Sequence, residues 1–147
     1  MASYEETLVN ISLDADASLA VDTSPPYVGN DAPAGGSAAA GFQYRFVRLT
    51  DPHTCGLYTN TSGEIPIGVL QNKPQVEGMA ATVAVAGISL VEAGGAIVAG
   101  QVVGPDTTGR AVVGGTGSPA GIAIYDGAEG EIVPVLIRPT TTGSTTA

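Results

Sequence analysis

Apolar residues in the middle of the chain alternate with polar residues, so their period is two rather than 3.6. Phe42, Tyr44 and Phe46 share one parity, and Val47 and Leu49 then carry the apolar pattern on the other parity. A one-residue change of parity within a strand is typical of a β-bulge. The pattern therefore predicts a curled strand with a bulge near Phe46.

The run ATVAVAGISLVE shows the same change of parity. Val83 and Val85 give way to Ile88 and Leu90 across Gly87. A strand bends at least cost at a glycine, because glycine has no Cβ. We expect this long strand to bend at Gly87.

Helices are almost absent from the predicted elements. Only residues 92–100, EAGGAIVAG, could form a single helical turn, because glycines interrupt every longer window. Short strands separated by Gly-rich and Asx-rich turns favour a compact small β-barrel or sandwich. The predicted fold class is all-β.

Two turn sequences, NTSG at 60–63 and DTTG at 106–109, predict tight hairpins.

One stretch of sequence occurs twice in similar form. Residues 66–78, PIGVLQNKPQVEG, and residues 119–130, PAGIAIYDGAEG, each lead from a short strand through a Glu-Gly loop into a Val-rich strand. We interpret them as a duplicated β-hairpin unit, in which each copy needs the other to bury its apolar face. Pro134 lacks a backbone donor, which predicts that the last strand lies at a sheet edge.

Composition divides the chain into three regions. Residues 1–41 form an N-terminal arm with short alternating runs and a linker rich in Pro, Gly and Ala. Residues 42–138 form a β-rich domain that contains nearly all the periodic apolar signal. Residues 139–147, PTTTGSTTA, are a Thr-rich C-terminal tail without apolar side chains to bury.

Charge and composition limit the possible partners. The formal net charge is −9, from 14 acidic and 5 basic residues, which disfavours direct binding to nucleic acid. Aromatic residues make up only 5% of the chain, so the core consists of small side chains, and we expect subunit contacts to share its stabilisation. The N-terminal MASYEETLVN has glutamates where a signal peptide needs positive charge, and no apolar run approaches about eighteen residues. We expect a soluble chain, made in the cytoplasm, with no membrane partner.

Residues with catalytic or metal-binding chemistry are scarce. His53 and Cys55, in DPHTC, are the only residues of their types, whereas a structural zinc site needs four ligands. Asp51 and His53 near a serine resemble two members of a catalytic triad, but triads assemble from distant positions. We predict no cofactor, no metal and no enzymatic activity.

Two segments between Gly68 and Arg138 resemble the head decoration (cement) proteins of tailed bacteriophages: GVLQNKPQVEGMAATVAVAGISLVEAGGAIVAGQVVGPDTTGRAVV and GIAIYDGAEGEIVPVLI. The resemblance covers about half of the chain. It implies a structural protein that binds the major capsid protein on the outer surface of the expanded head. Such a protein would act as a homotrimer at threefold and quasi-threefold positions, stabilise the shell against the pressure of packaged DNA, and remain in the virion.

The N-terminal arm gives two alternatives for attachment. In the first, an unpaired strand adds to a sheet edge on a capsid subunit or a neighbouring copy, with contacts from Leu8, Val9, Ile11 and Leu13. In the second, residues 7–13 close the sheet of the chain's own β-rich domain. The sequence leaves both open.

Three tyrosines are further candidate contacts with the capsid or another subunit, because Tyr is enriched at interfaces: Tyr4, Tyr27 and Tyr58. Each could instead cap the core.

The alternative function is a carbohydrate-binding or adhesive β-module of a phage tail or cell surface. That alternative is disfavoured because sugar sites present aromatic platforms, and the chain has no Trp and only two Phe. An enzyme built on a small barrel would need a titratable group in a pocket.

Overall fold

The computed structural model describes residues 8–20, 41–115 and 118–138. Within those ranges it contains strands and turns but no helix, which confirms the all-β prediction. The strands are β1 (Val9–Ala15), β2 (Phe46–Asp51), β3 (Thr54–Leu57), β4 (Gly68–Leu70), β5 (Ala80–Glu92), β6 (Val102–Pro105), β7 (Ala111–Val113), β8 (Gly121–Ala123) and β9 (Ile132–Ile137).

The first five strands form a closed barrel, here called the first barrel. Its order is β1-β3-β2-β4-β5, and β5 returns to pair with β1. β1 is parallel to β3 and antiparallel to the first half of β5. The barrel encloses small and medium apolar side chains, among them Leu13, Val47, Leu70 and Val83. The predicted small-residue core is therefore present, and a strand from the N-terminal arm completes it.

The remaining strands form a second barrel around the second half of β5. Its strands follow the order β5-β9-β8-β6-β7. A single parallel bridge between Ala93 and Ala111 joins the end of β5 to β7 and closes the ring. A separate cluster of buried side chains, including Val91, Val103 and Val133, fills this barrel.

The two barrels are copies of one arrangement. In the second barrel, β5 to β9 make the same pairings, in the same chain order, as β1 to β5 make in the first. Gly68 and Gly121 begin equivalent strands, and at each a Cβ would collide with a carbonyl of the next strand, that of Ala84 or Leu136. Gly78 and Gly130 occupy equivalent turns with φ of 87° and 85°. The predicted hairpin duplication is confirmed, and it extends to the whole barrel.

β5 belongs to both barrels and changes partners at its centre. Ala86 pairs with β1, whereas Gly87, with φ of 100°, pairs with β9. A φ near 100° is readily available only to glycine, so the predicted bend at Gly87 is the point at which the strand passes between barrels.

Contacts between residues 44–46 and the second barrel join the two units. The Arg45 guanidinium, 4% exposed, donates to Glu92 Oε2 at 2.9 Å and to the Thr108 carbonyl at 3.2 Å. The Phe46 N–H donates to the Gly109 carbonyl, and the Glu92 N–H donates to the Tyr44 carbonyl. The backbone at 44–46 therefore lies between the end of β5 and the β6–β7 turn.

Two predicted turns have different outcomes. The DTTG sequence forms the predicted hairpin between β6 and β7. The prediction of a hairpin at NTSG is wrong, because β3 and β4 both pair with β2 and are not neighbours. Asn60 and Gly63 still have positive φ, so the turn chemistry is present although the connection passes across β2.

Two strand predictions also require correction. The register shift in β2 lies between Leu49 and Asp51, not near Phe46, because the strand begins only at Phe46. β9 is not an edge strand, since it pairs with both β5 and β8. The Pro134 carbonyl accepts from Ile124, one residue beyond β8, so the missing N–H falls where that neighbour ends.

Candidate interaction surface

The residues predicted to attach the arm do not form one surface. β1 pairs with β5 from Val9 to Asp14 and with β3 at Asp14 and Ala15, so the structure adopts the second alternative, in which this segment closes the chain's own sheet. Val9 and Ile11 are 49% and 40% exposed, and Leu8 is half-buried. Leu13 is buried in the first barrel. Val9 and Ile11 therefore remain accessible for contacts, and on the edge of β1 that faces β3 the pairing is confined to Asp14 and Ala15.

The predicted tyrosine contacts differ in their positions. Tyr58 is completely buried, and its hydroxyl lies 3.5 Å from Ser118 Oγ, where it donates a hydrogen bond. Its side chain belongs to the core cluster of the second barrel, although the residue follows β3 of the first. Tyr58 therefore has the core role and is not accessible to a partner. Tyr4 and Tyr27 lie outside the described residues.

The residues with candidate catalytic or metal-binding chemistry differ in their exposure to solvent. Cys55 is buried, and desolvation together with the charges of Asp16 and Asp14 raises the pKa of its thiol to about 11. The thiol is therefore protonated at neutral pH, whereas a nucleophile needs the thiolate. His53 is exposed at the β2–β3 turn, with Nδ1 3.6 Å from Asp14 Oδ2. Across the described ranges, no three His, Cys, Asp or Glu residues are grouped so as to hold a metal ion.

An open groove lies beside β2 in the first barrel. It has a volume of about 460 Å³ and is lined by Arg48, Leu49, Ser62, Gly63, Glu64, Ile65 and Ile67. The Arg48 guanidinium is 2.7 Å from Glu64 Oε1, so the two charges of the groove neutralise each other. Glu64 also accepts hydrogen bonds from the backbone of Thr59 and Thr61, which fixes the loop. The groove presents apolar side chains without an unpaired charge.

A continuous apolar surface lies on the outside of the second barrel. Val102 pairs with Ile122, Ile122 with Leu136, and Leu136 with Ile88, so one row crosses four strands. Leu90 and Pro134 pair in the adjacent row. We call this surface the outer wall, and it consists of Ile88, Leu90, Val102, Ile122, Pro134 and Leu136.

Side chains of the outer wall contact solvent. Val102 is 50% exposed and Leu90 is 42% exposed, and the other four members are partly exposed. Residues of the opposite parity on the same strands are buried in the barrel, including Val91, Val103 and Val135. A sheet with one face in water normally alternates apolar and polar residues. Here both faces are apolar.

Sequence reasoning missed the outer wall, although the signal was present. The strand IVPVLI is apolar at both parities, which is typical of a strand covered on both faces. Only the pairing of β5, β6, β8 and β9 shows that their outward residues form one surface.

The described residues contain no helix of the length and apolarity needed to cross a membrane.

No protein-family model matches the chain. No curated protein matches it either. Among solved structures, the chain is similar to that of the head fiber gp8.5 N base in bacteriophage phi29, with a TM-score of 0.55 and 20% sequence identity. The match covers 90% of this chain and 95% of the phage chain, so the two share a fold over nearly their whole lengths.

Proposed function

We propose that the chain is a structural protein of a phage head, bound as a homotrimer to the major capsid protein on the outer surface of the shell. The observation that carries the proposal is the shared fold with the phi29 head fiber base over nearly the full length of both chains. More specifically, the protein is proposed to be a decoration protein that binds at threefold and quasi-threefold positions. From there it stabilises the expanded head against the internal pressure of packaged DNA.

Electrostatics support a position outside the shell. The net charge of −9 would repel packaged DNA on the inner surface, whereas an outer position keeps these carboxylates in water. Trimerisation would also strengthen attachment, because three linked contacts bind the shell far more tightly than one. Weak contacts from each subunit are then sufficient.

The solved structure favours a second candidate function. That structure is the N base of a head fiber, so this chain could likewise be the base on which a fiber stands. A fiber base needs to attach to the head, but it does not need to stabilise the shell. The two functions therefore differ in their effect on shell stability.

One experiment tests attachment. The purified chain is mixed with expanded heads assembled without it, and the bound copies per head are counted after sedimentation. We expect saturable binding in multiples of three. Binding that never saturates, or absence of binding to heads alongside binding to a glycan array, would contradict the proposal and support the adhesive module.

A second measurement separates the two head functions. The temperature at which heads release their DNA is compared with and without saturating amounts of the chain. A decoration protein raises this temperature, whereas a fiber base leaves it unchanged. An unchanged temperature with full binding would therefore favour the fiber base.

A further inference from the structure

The duplication supplies an internal comparison for the outer wall. The residues of the first barrel equivalent to Ile88, Leu90 and Pro134 are Asn10, Ser12 and Thr82, because each occupies the same pairing position in its barrel. Asn10 and Ser12 are exposed, and Thr82 is half-buried. The first barrel therefore has polar residues at the three surface positions that correspond to these members of the outer wall. The second barrel has apolar residues at the same three positions.

A second comparison shows what an apolar wall does in this fold. The row Val102–Ile122–Leu136 is equivalent to the row Phe46–Val69–Ala84 of the first barrel. All three residues of that row are completely buried. Phe46 and Val69 pack in the core cluster of the second barrel, so the neighbouring barrel covers their row. In this fold, an apolar row on the outside of one barrel is covered by another barrel.

We infer that the outer wall of the second barrel is a contact surface between copies of this chain. The inference rests on the homotrimer of the proposed function, and it is independent of binding to the shell. It assigns the contact to Ile88, Leu90, Val102, Ile122, Pro134 and Leu136.

Chemistry favours a second copy as the occupant of the wall. None of its six residues carries a charge or a polar side chain, and contacts between identical subunits are more apolar than those between separately folded partners. Two copies of an acidic chain repel each other least where both surfaces lack carboxylates.

The wall and the buried row of the first barrel share a strand. Ala84 belongs to the row Phe46–Val69–Ala84, and Ile88 and Leu90 of the wall follow it on β5, beyond Gly87. A further barrel from a second copy would cover the wall as the second barrel covers Phe46 and Val69.

The test replaces wall residues by their equivalents from the first barrel. Ile88→Asn combined with Leu90→Ser introduces residues that the same fold already carries at these positions, as Asn10 and Ser12. Sedimentation velocity over a range of concentrations measures self-association. We expect a trimer for the wild type and at least ~10-fold weaker association for the double variant, because two apolar side chains no longer leave water.

A matched control tests whether any loss of exposed apolar surface has this effect. Val76→Ser combined with Met79→Asn removes two side chains, each 45% exposed, from the β4–β5 loop of the first barrel. We expect this variant to associate like the wild type. Val102→Glu, at a position that is 50% exposed, is a second wall variant, and circular dichroism establishes that each variant is folded.

Each outcome decides between the possible occupants. Loss of association by folded wall variants, with the control unchanged, supports the inference. Wall variants that associate normally overturn it, and if they then fail to bind heads, the wall contacts the capsid. A wild type that is monomeric at every concentration also overturns it. Head binding by that monomer would leave attachment to the shell intact, whereas a trimer that ignores heads would contradict the proposed function alone.

Discussion

Asp106 fixes the β6–β7 turn with one carboxylate. Its Oδ1 accepts hydrogen bonds from the backbone N–H groups of Thr108 and Arg110 and from the Thr108 hydroxyl, and Oδ2 lies 3.1 Å from Arg110 Nε. Burial alone would raise the pKa of Asp106, but these hydrogen bonds and the Arg110 charge outweigh it and lower the pKa below its ordinary value. The turn matters beyond the hairpin, because the Gly109 carbonyl accepts from Phe46 of the first barrel.

Replacing this carboxylate should make stability less dependent on pH. Because the folded-state pKa is lowered, the ionised carboxylate stabilises the fold above the ordinary Asp pKa, and this contribution is lost as the pH falls through the folded-state pKa. Asp106→Asn keeps an acceptor but removes the charge, so we expect a loss of ~1 kcal/mol in the free energy of unfolding at pH 7. Urea denaturation between pH 7 and pH 2 measures the difference, which should narrow in acid.

The exposed Asp51 at the equivalent turn of the first barrel provides the control. Asp51→Asn should change the free energy of unfolding by less than ~0.5 kcal/mol at pH 7, as expected for an exposed surface position. A difference between wild type and Asp106→Asn that stays constant from pH 7 to pH 2 would show that the Asp106 charge has no stabilising role.

Elements could be predicted from the sequence wherever they depend on local chemistry. The DTTG turn and the bend at Gly87 are fixed by nearby residues, and both are present. The NTSG hairpin and the edge position of Pro134 depend on which strand lies alongside, which one strand's own pattern does not specify. The repeated Gly68 and Gly121 indicated a duplicated hairpin, because the close approach of a neighbouring carbonyl requires glycine at both positions. The repeat of the whole barrel was hidden, since many of its equivalent positions differ in residue type, as Asn10 and Ile88 or Phe46 and Val102 do.

The candidate interaction surface could not be predicted from the sequence for the same reason: it depends on which strands lie alongside each other. Val9, Ile11 and Leu13 of β1 were recognisable as part of a strand, but the alternation of apolar residues does not say whether the partner strand belongs to the same chain or to another one. Residues of the outer wall are spread over four strands that are distant in sequence. Only tertiary pairing brings them together, so sequence periodicity could suggest a strand covered on both faces but not the surface itself.

β1 provides the prediction at the scale of an element. It closes the first barrel by pairing with β3 and β5, and Leu13 and Ala15 pack in the core. Deleting residues 1–15 should therefore unfold the first barrel, because it exposes the core and leaves the ladders of two strands without partners. Circular dichroism and thermal denaturation measure the loss of fold. Deletion of residues 1–7 is the control, since it leaves β1 in place and should preserve the melting transition. A cooperative transition after loss of β1 would favour the alternative in which the strand serves attachment.

At the scale of the whole molecule, the two barrels depend on each other for their cores. β5 is part of both barrels. Phe46, Tyr58 and Val69 of the first barrel are buried in the core cluster of the second. Neither unit can unfold alone without exposing apolar side chains of the other. The shared core also places the outer wall and the groove beside β2 in one folded unit.

This dependence predicts a single unfolding transition. In differential scanning calorimetry we expect one peak, with equal calorimetric and van't Hoff enthalpies. Phe46→Ala removes a completely buried ring between the barrels, so it should lower the free energy of unfolding by about 3–5 kcal/mol and shift the single peak without splitting it. Val83→Ala, in the core of the first barrel alone, is the control for a local cavity and should also give one peak at a smaller cost. Two resolved peaks in the wild type would show that the barrels fold independently and that the contact at residues 44–46 is too weak to couple them.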